Sequence, residues 1–196
     1  MEFNVNEELL FYTPVWSVYA KDLDNTKIKE YCLETREKTK GVQLSNKGGW
    51  HSREILTPLP TELEALFKDL TEFVNTYCAK TTGISGLELG NFWININGKH
   101  DYNLLHDHFG GIISGVYYVD VPTSNMGNLI LERNDHMEYF LPSQVQGLTP
   151  FTSQSSSKQP LTGMTYLFPS FTRHRVDRND SDLERISIAF NFVLPK

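Results

Sequence analysis

Three histidines and one arginine hold the chemical promise of this chain. His106 and His108 lie one residue apart in Leu105-His106-Asp107-His108-Phe109-Gly110-Gly111. In an extended strand, residues two apart point to the same face. The two imidazoles therefore project together, with Asp107 turned away. Paired neutral imidazoles are the beginning of a metal site, because this ligand suits iron, zinc, copper and nickel. A third histidine, His174, follows far along the chain, in what reads as a short loop after Phe168-Pro169.

Arg185 adds a second kind of chemistry. In the strand-like run around 185 to 194, Arg185, Ser187 and Ala189 share one face and Ile186, Ile188, Phe190 and Phe192 the other. If the first face points inward, a guanidinium is buried beside a hydroxyl. Such a group needs an anion and grips a carboxylate with a fixed fork of donors. One reading pairs Arg185 with Glu184 or Glu132. The other leaves it for a carboxylate ligand lying between Arg185 and a metal.

The elements that must position these groups follow from periodicity. Residues 9 to 20 are rich in aromatic and β-branched residues and read as an opening strand, with Pro14 at an edge or bulge. Residues 24 to 38 read as a helix capped by Asp24 or Asn25, with Ile28, Tyr31, Cys32 and Thr35 on its less polar face. Residues 40 to 56 are loop with at most a short strand. Thr61 and Glu64 form a capping-box pattern ahead of the strongest helical stripe, which is Leu63, Leu66, Phe67, Leu70, Phe73, Val74 and Tyr77. That stripe is core, expected on the outer face of a sheet.

Strands dominate from there. In 91 to 97, Phe92, Ile94 and Ile96 share one face, and Asn91, Trp93, Asn95 and Asn97 the other. Further strands are expected at 111 to 121, 129 to 131, 163 to 169 and 185 to 194, with a turn at 123 to 128. The polar stretch 133 to 160 reads as a lid over the site or as a surface insertion. Helices first and short strands afterwards give an α+β, mainly β, class. A jelly roll with N-terminal supporting helices fits this order. The organisation expected is one domain over 1–196, with supporting elements in 1–89 and the core in 90–196.

Bulk properties narrow the function. The net charge of −6 argues against a general nucleic-acid grip. Cys32 and Cys78 have no metal-site spacing; they could form a disulfide, but read first as two buried free thiols in a reducing compartment. The N-terminus does not read as a signal peptide, and no apolar run reaches membrane-spanning length, so a cytoplasmic protein is expected. Arg173, Arg175 and Arg178 flank His174; they read as a solvated loop or as a contact for an acidic substrate.

Taken together, these motifs resemble a family. His106-x-His108, the run Ser114-Gly115-Val116-Tyr117-Tyr118, Phe168-Pro169-Ser170, His174, Arg185-Ile186-Ser187 and Phe190-Asn191-Phe192 appear in the order seen in the Fe(II)- and 2-oxoglutarate-dependent oxygenases. The resemblance is to a prolyl-hydroxylase-like subgroup and covers residues 90 to 194.

It implies a double-stranded β-helix core and the cofactors Fe(II) and 2-oxoglutarate. His106, His108 and His174 would be the metal ligands, with His108 where most of the superfamily has a carboxylate; Asp107 would enter only through a bulge. Arg185, helped by Ser187, would bind the far carboxylate of 2-oxoglutarate. Asn95 or Asn97, and also one of Tyr117 and Tyr118, Tyr118 foremost, would serve the near carboxylate. The activity implied is hydroxylation of an unactivated C–H bond with O2, giving succinate and CO2. The prime substrate is a small molecule or a protein side chain. Two other readings fit the residues alone: a cupin-like three-His dioxygenase that does not use 2-oxoglutarate, and a non-catalytic jelly-roll binding module.

Overall fold

The structure is a computed structural model and describes residues 6, 10–135 and 147–195. Among the described residues, eleven strands form two antiparallel sheets. They are β1 (Trp16–Tyr19), β2 (Asn46–Lys47), β3 (Trp50–His51), β4 (Glu88–Asn97), β5 (Tyr102–His106), β6 (Ile113–Asp120), β7 (Leu129–Glu132), β8 (Ser155–Lys158), β9 (Met164–Pro169), β10 (His174–Val176) and β11 (Arg185–Val193). The larger sheet runs β1-β9-β6-β11-β4-β3 and the smaller β2-β5-β10-β7-β8. This is the double-stranded β-helix, with the helices on the outer face of the larger sheet.

The helices form where their apolar spacing requires. In α1 (Asn25–Lys38), the Asp24 side chain accepts from the Thr26 amide at 2.9 Å, and Ile28, Tyr31, Cys32 and Thr35 are the buried positions. In α2 (Thr61–Phe73), Leu63, Leu66, Phe67 and Leu70 are buried. Phe67 meets Phe92 of β4 at 4.8 Å and Phe190 of β11 at 5.8 Å between ring centroids, which locks the helix to the sheet. Each such side chain removed from water contributes roughly 1.5–3 kcal/mol. Cys32 and Cys78 are buried and unpaired, and burial pushes both thiols up to about 12.

Several expectations are corrected. The capping box does not form: Pro60 is the N-cap, and its carbonyl accepts from both Leu63 and Glu64 at 3.0 Å, because Thr61 already lies inside the helix. After Phe73 a π turn (Val74–Cys78) precedes α3 (Ala79–Thr82). The wider turn rotates the face, so Val74 and Cys78 are buried while Tyr77 is exposed. The first strand is shorter than expected, since Phe11 adopts φ 55° and extended pairing starts only at Trp16. His174 opens a strand rather than sitting in a loop. Part of the stretch 133 to 160 is also a strand. Ser155–Lys158 pairs with β7 at the edge of the smaller sheet, where solvent on both sides leaves no apolar alternation to read. Residues 136–146 of that stretch lie outside the described residues. Among the described residues, no helix is long and apolar enough to cross a membrane.

Candidate metal and anion site

The inner face of the larger sheet is a set of cross-strand rows. Asn97 faces Arg185. In the next row Asn95, Ser187 and Tyr118 align, then Trp93, Ala189 and Val116, then Asn91, Asn191 and Ser114. The smaller sheet supplies the opposite wall. Between them lies a cavity of about 50 Å³, lined by Asn95, Tyr118, Arg185, Ser187, His106, His108 and His174 among others. That volume admits several water-sized groups.

The three histidines converge as expected from chemistry rather than from simple alternation. His174 pairs with His106 and Val176 with Asn103, so two steps on β10 face three on β5. The extra residue is a β-bulge, and it turns both Asn103 and His106 toward the inside. His108 lies just past the end of β5, its backbone amide held by the Ser170 carbonyl at 3.1 Å. One ligand atom from each of His106, His108 and His174 lies within 4.8 Å of the others. Asp107 is exposed and outside the cluster, so the bulge does not bring it in.

The protonation of the site suits a metal. His106 Nδ1 lies 2.7 Å from the Leu104 carbonyl and His174 Nδ1 2.9 Å from the Thr172 carbonyl. A carbonyl only accepts, so each Nδ1 carries the proton and each Nε2 keeps its lone pair. Burial, reinforced by the neighbouring His106 ring, pulls His108 down to about 4 and His174 down to about 3. Both stay neutral, as metal ligation requires. Three converging imidazoles, two of them with the tautomer fixed by a backbone carbonyl, fit a divalent ion such as Fe(II).

Arg185 is 2% exposed and has no carboxylate partner among the described residues. The ion pairs considered from sequence do not form: Glu184 binds Arg36 at 2.7 Å, and Glu132 binds Arg175 at 3.5 Å. Instead the guanidinium donates to the Met126 carbonyl at 2.8 Å, to the Gly127 carbonyl at 2.7 Å and to Asn97 Oδ1 at 3.0 Å. Nε has no partner. Burial lowers the Arg185 pKa, and no carboxylate opposes that loss. A buried cation held only by neutral acceptors, with the Nε–H and one terminal N–H left over, fits the carboxylate of a bound anion.

The remaining candidates separate clearly. Asn95 and Ser187 line the cavity, and Asn95 Oδ1 is buried without a partner. Asn97 does not line it; its amide oxygen is taken up by Arg185. Tyr118 lies on the cavity face, 5.9 Å from its ring centroid to the Arg185 guanidinium carbon, and burial raises its phenol to about 12. Tyr117 points to the helices and donates to Asn25 at 2.6 Å. Arg175 and Arg178 are paired with Asp177 and Asp180 at 3.0 and 2.7 Å, which offsets their charge.

Two features escaped the sequence. The Met126 and Gly127 carbonyls that hold Arg185 have no side-chain signature. Gly127 was the available signal: it sits at φ 83°, and a Cβ there would meet the Asp177 carbonyl at 2.1 Å. The other is Trp93, whose ring packs on His108 at 5.2 Å.

Several solved structures share this fold. A prolyl-4-hydroxylase from Pseudomonas putida is 13% identical over 93% of both chains, with a TM-score of 0.66. A viral collagen prolyl hydroxylase from Paramecium Bursaria Chlorella virus-1, in complex with 2OG, is 11% identical over 92% of this chain and 96% of that one, at 0.61. HygX from Streptomyces hygroscopicus, with nickel and 2-oxoglutarate bound, is 12% identical over 93% and 83%, also at 0.61. At such identities the likeness is one of fold. No curated protein matches the chain by sequence. The profile of a family described as "Putative 2OG-Fe(II) oxygenase" matches residues 91–191, just over half of the chain and the part that carries every histidine and arginine of the site. The chain therefore belongs to the 2OG-Fe(II) oxygenases, enzymes that work with Fe(II) and 2-oxoglutarate.

Proposed function

We propose that this 2-oxoglutarate-dependent oxygenase hydroxylates an unactivated C–H bond of its prime substrate and releases succinate and CO2. The metal ligands in this reading are His106, His108 and His174. The observation that carries it is Arg185: a buried guanidinium without a carboxylate partner among the described residues, its Nε free, in the same cavity as the three imidazoles.

Fe(II) with 2-oxoglutarate supplies O2 activation coupled to oxidative decarboxylation, which is chemistry no side chain provides. The residues do the rest. Arg185 binds the far carboxylate of 2-oxoglutarate, and Asn97, Met126 and Gly127 hold the guanidinium in place. Ser187 lies two residues on along the same face. Asn95, in the row above Arg185, offers an unpaired amide oxygen, and Tyr118 closes the opposite side of that row. Phe168, Leu129 and Val176 complete the lining with apolar surface that keeps bulk water out. His106 and His174 present Nε2 because their Nδ1 protons are committed to carbonyls. Three imidazoles leave the metal its full positive charge, and the 2-oxoglutarate dianion offsets it.

The test is anaerobic titration of the Fe(II)-loaded protein with 2-oxoglutarate, followed by the visible metal-to-ligand charge-transfer band. The expected result is a band in the wild type that disappears in His108→Ala and weakens in Arg185→Ala. A protein that holds stoichiometric iron but gives no band would overturn the 2-oxoglutarate role. It would favour a three-His dioxygenase whose own substrate carboxylate binds Arg185.

A further inference from the structure

The three histidines are not held alike. His106 and His174 stand on strands, and each is oriented by an Nδ1 hydrogen bond to the carbonyl two residues before it. His108 stands beyond the end of β5, and its ring has no hydrogen-bond partner among the described residues. A metal-binding imidazole is normally oriented through its second nitrogen. His108 lacks that constraint, so packing must supply it.

The packing is specific. The half-buried indole of Trp93 lies 5.2 Å from the His108 ring, at an interplanar angle of 54°. On Trp93 in turn stacks His51, at 5.8 Å and 11°. His51 is buried on β3, directly across from Asn95, with Nδ1 held by the Ser52 carbonyl at 2.9 Å. A fixed imidazole thus backs an indole, and the indole bears on the one ligand without a hydrogen bond. Ring pairs at 4.5–7 Å have preferred relative orientations, so the contact restricts rotation.

We propose that Trp93, backed by His51, is the positioning residue that holds His108 in its metal-binding orientation, in place of the usual hydrogen bond. The proposal rests on the three-His reading of the metal site. It assigns Trp93 a role in ligand geometry and none in contacting the cosubstrate.

The experiment is titration of the full chain with Co(II) alone, reading both affinity and the ligand-field absorption spectrum. His108→Ala supplies the spectrum of a site short of one imidazole. Trp93→Leu is expected to bind Co(II) about ten-fold more weakly or worse, with a spectrum moved toward that of His108→Ala. Trp93→Phe, which keeps an aromatic face, is expected to stay close to the wild type, as is His51→Phe. Should Trp93→Leu fail to fold, His51→Leu carries the same expectation, since it loosens the indole without touching His108. Wild-type affinity and spectrum in Trp93→Leu, while His108→Ala is altered, would overturn the positioning role and leave the three-His site standing. So would a loss in Trp93→Phe equal to that in Trp93→Leu. A His108→Ala spectrum identical to the wild type would overturn the three-His site itself, and the positioning role with it.

Discussion

Arg185 and Asn97 face each other across the ladder between β11 and β4, and the guanidinium donates a 3.0 Å hydrogen bond to the Asn97 amide oxygen. The partner is neutral, so the hydrogen bond orients the arginine without cancelling its charge. Asn97→Asp keeps the acceptor and adds a resident counter-ion. It is expected to weaken 2-oxoglutarate binding about ten-fold or more, because charge-assisted hydrogen bonds are roughly twice as strong as neutral ones. The ligand-free variant is expected to melt above the wild type. Calorimetric titration of the Fe(II)-loaded protein and a melting curve check the two halves.

In the proposed three-His site, His108 stands in for the carboxylate of the commoner two-His, one-carboxylate site. His108→Asp is expected to retain divalent metal, with the charge of the site lowered by one. His108→Ala is expected to lose about ten- to a hundred-fold in affinity, as removal of a ligating or supporting group does. Competition with a metal-sensitive dye distinguishes the two. Equal loss in both variants would show that the backbone beyond β5 cannot present a shorter ligand.

Proton linkage at His108 and His174 gives the apo protein a defined acid sensitivity. Their folded values are about 4 and about 3, lowered by burial and by the adjacent His106, against about 6.5 in an unfolded chain. Between those limits the unfolded state binds more protons than the folded state. Stability therefore rises with pH in this window and is lost as pH falls from about 6.5 toward 3. Urea midpoints of the metal-free protein across that range measure it. A double variant with His108→Asn and His174→Asn is expected to flatten the slope.

Gly115 lies on the core face of β6, and a Cβ there would come within 2.5 Å of Phe190 and 2.7 Å of Leu167. Both neighbours are fully buried. Gly115→Ala is expected to destabilise the fold by about 1–3 kcal/mol through overpacking, read from urea unfolding. Metal affinity of the folded fraction is expected to hold, because the added Cβ points at Phe190 and Leu167 and not at the histidines.

What the sequence determined by itself is whatever depends on local period. The buried face of α1 (Ile28, Tyr31, Cys32, Thr35) follows from helical spacing, and the two faces of β4 and β11 follow from alternation. Side-chain direction along a regular element is a local property, so Arg185 could be put on one strand face with Ser187, and Asn95 on one face of its own strand with Asn97; which of those faces turns inward was decided by the fold. The His-x-His pair and the later His174 and Arg185 also stood out by residue type. Where a period is broken or an acceptor lies on the backbone, only the tertiary structure decided. The bulge in β5 sets the side on which His106 emerges. The π turn swings Tyr77 into solvent, and the Gly127 turn brings two carbonyls to Arg185. Asn97 changes from a presumed ligand contact to a support because its register partner is the arginine itself. These depend on pairing between segments distant in sequence, and the free energy of such pairing is not carried by any one of the segments.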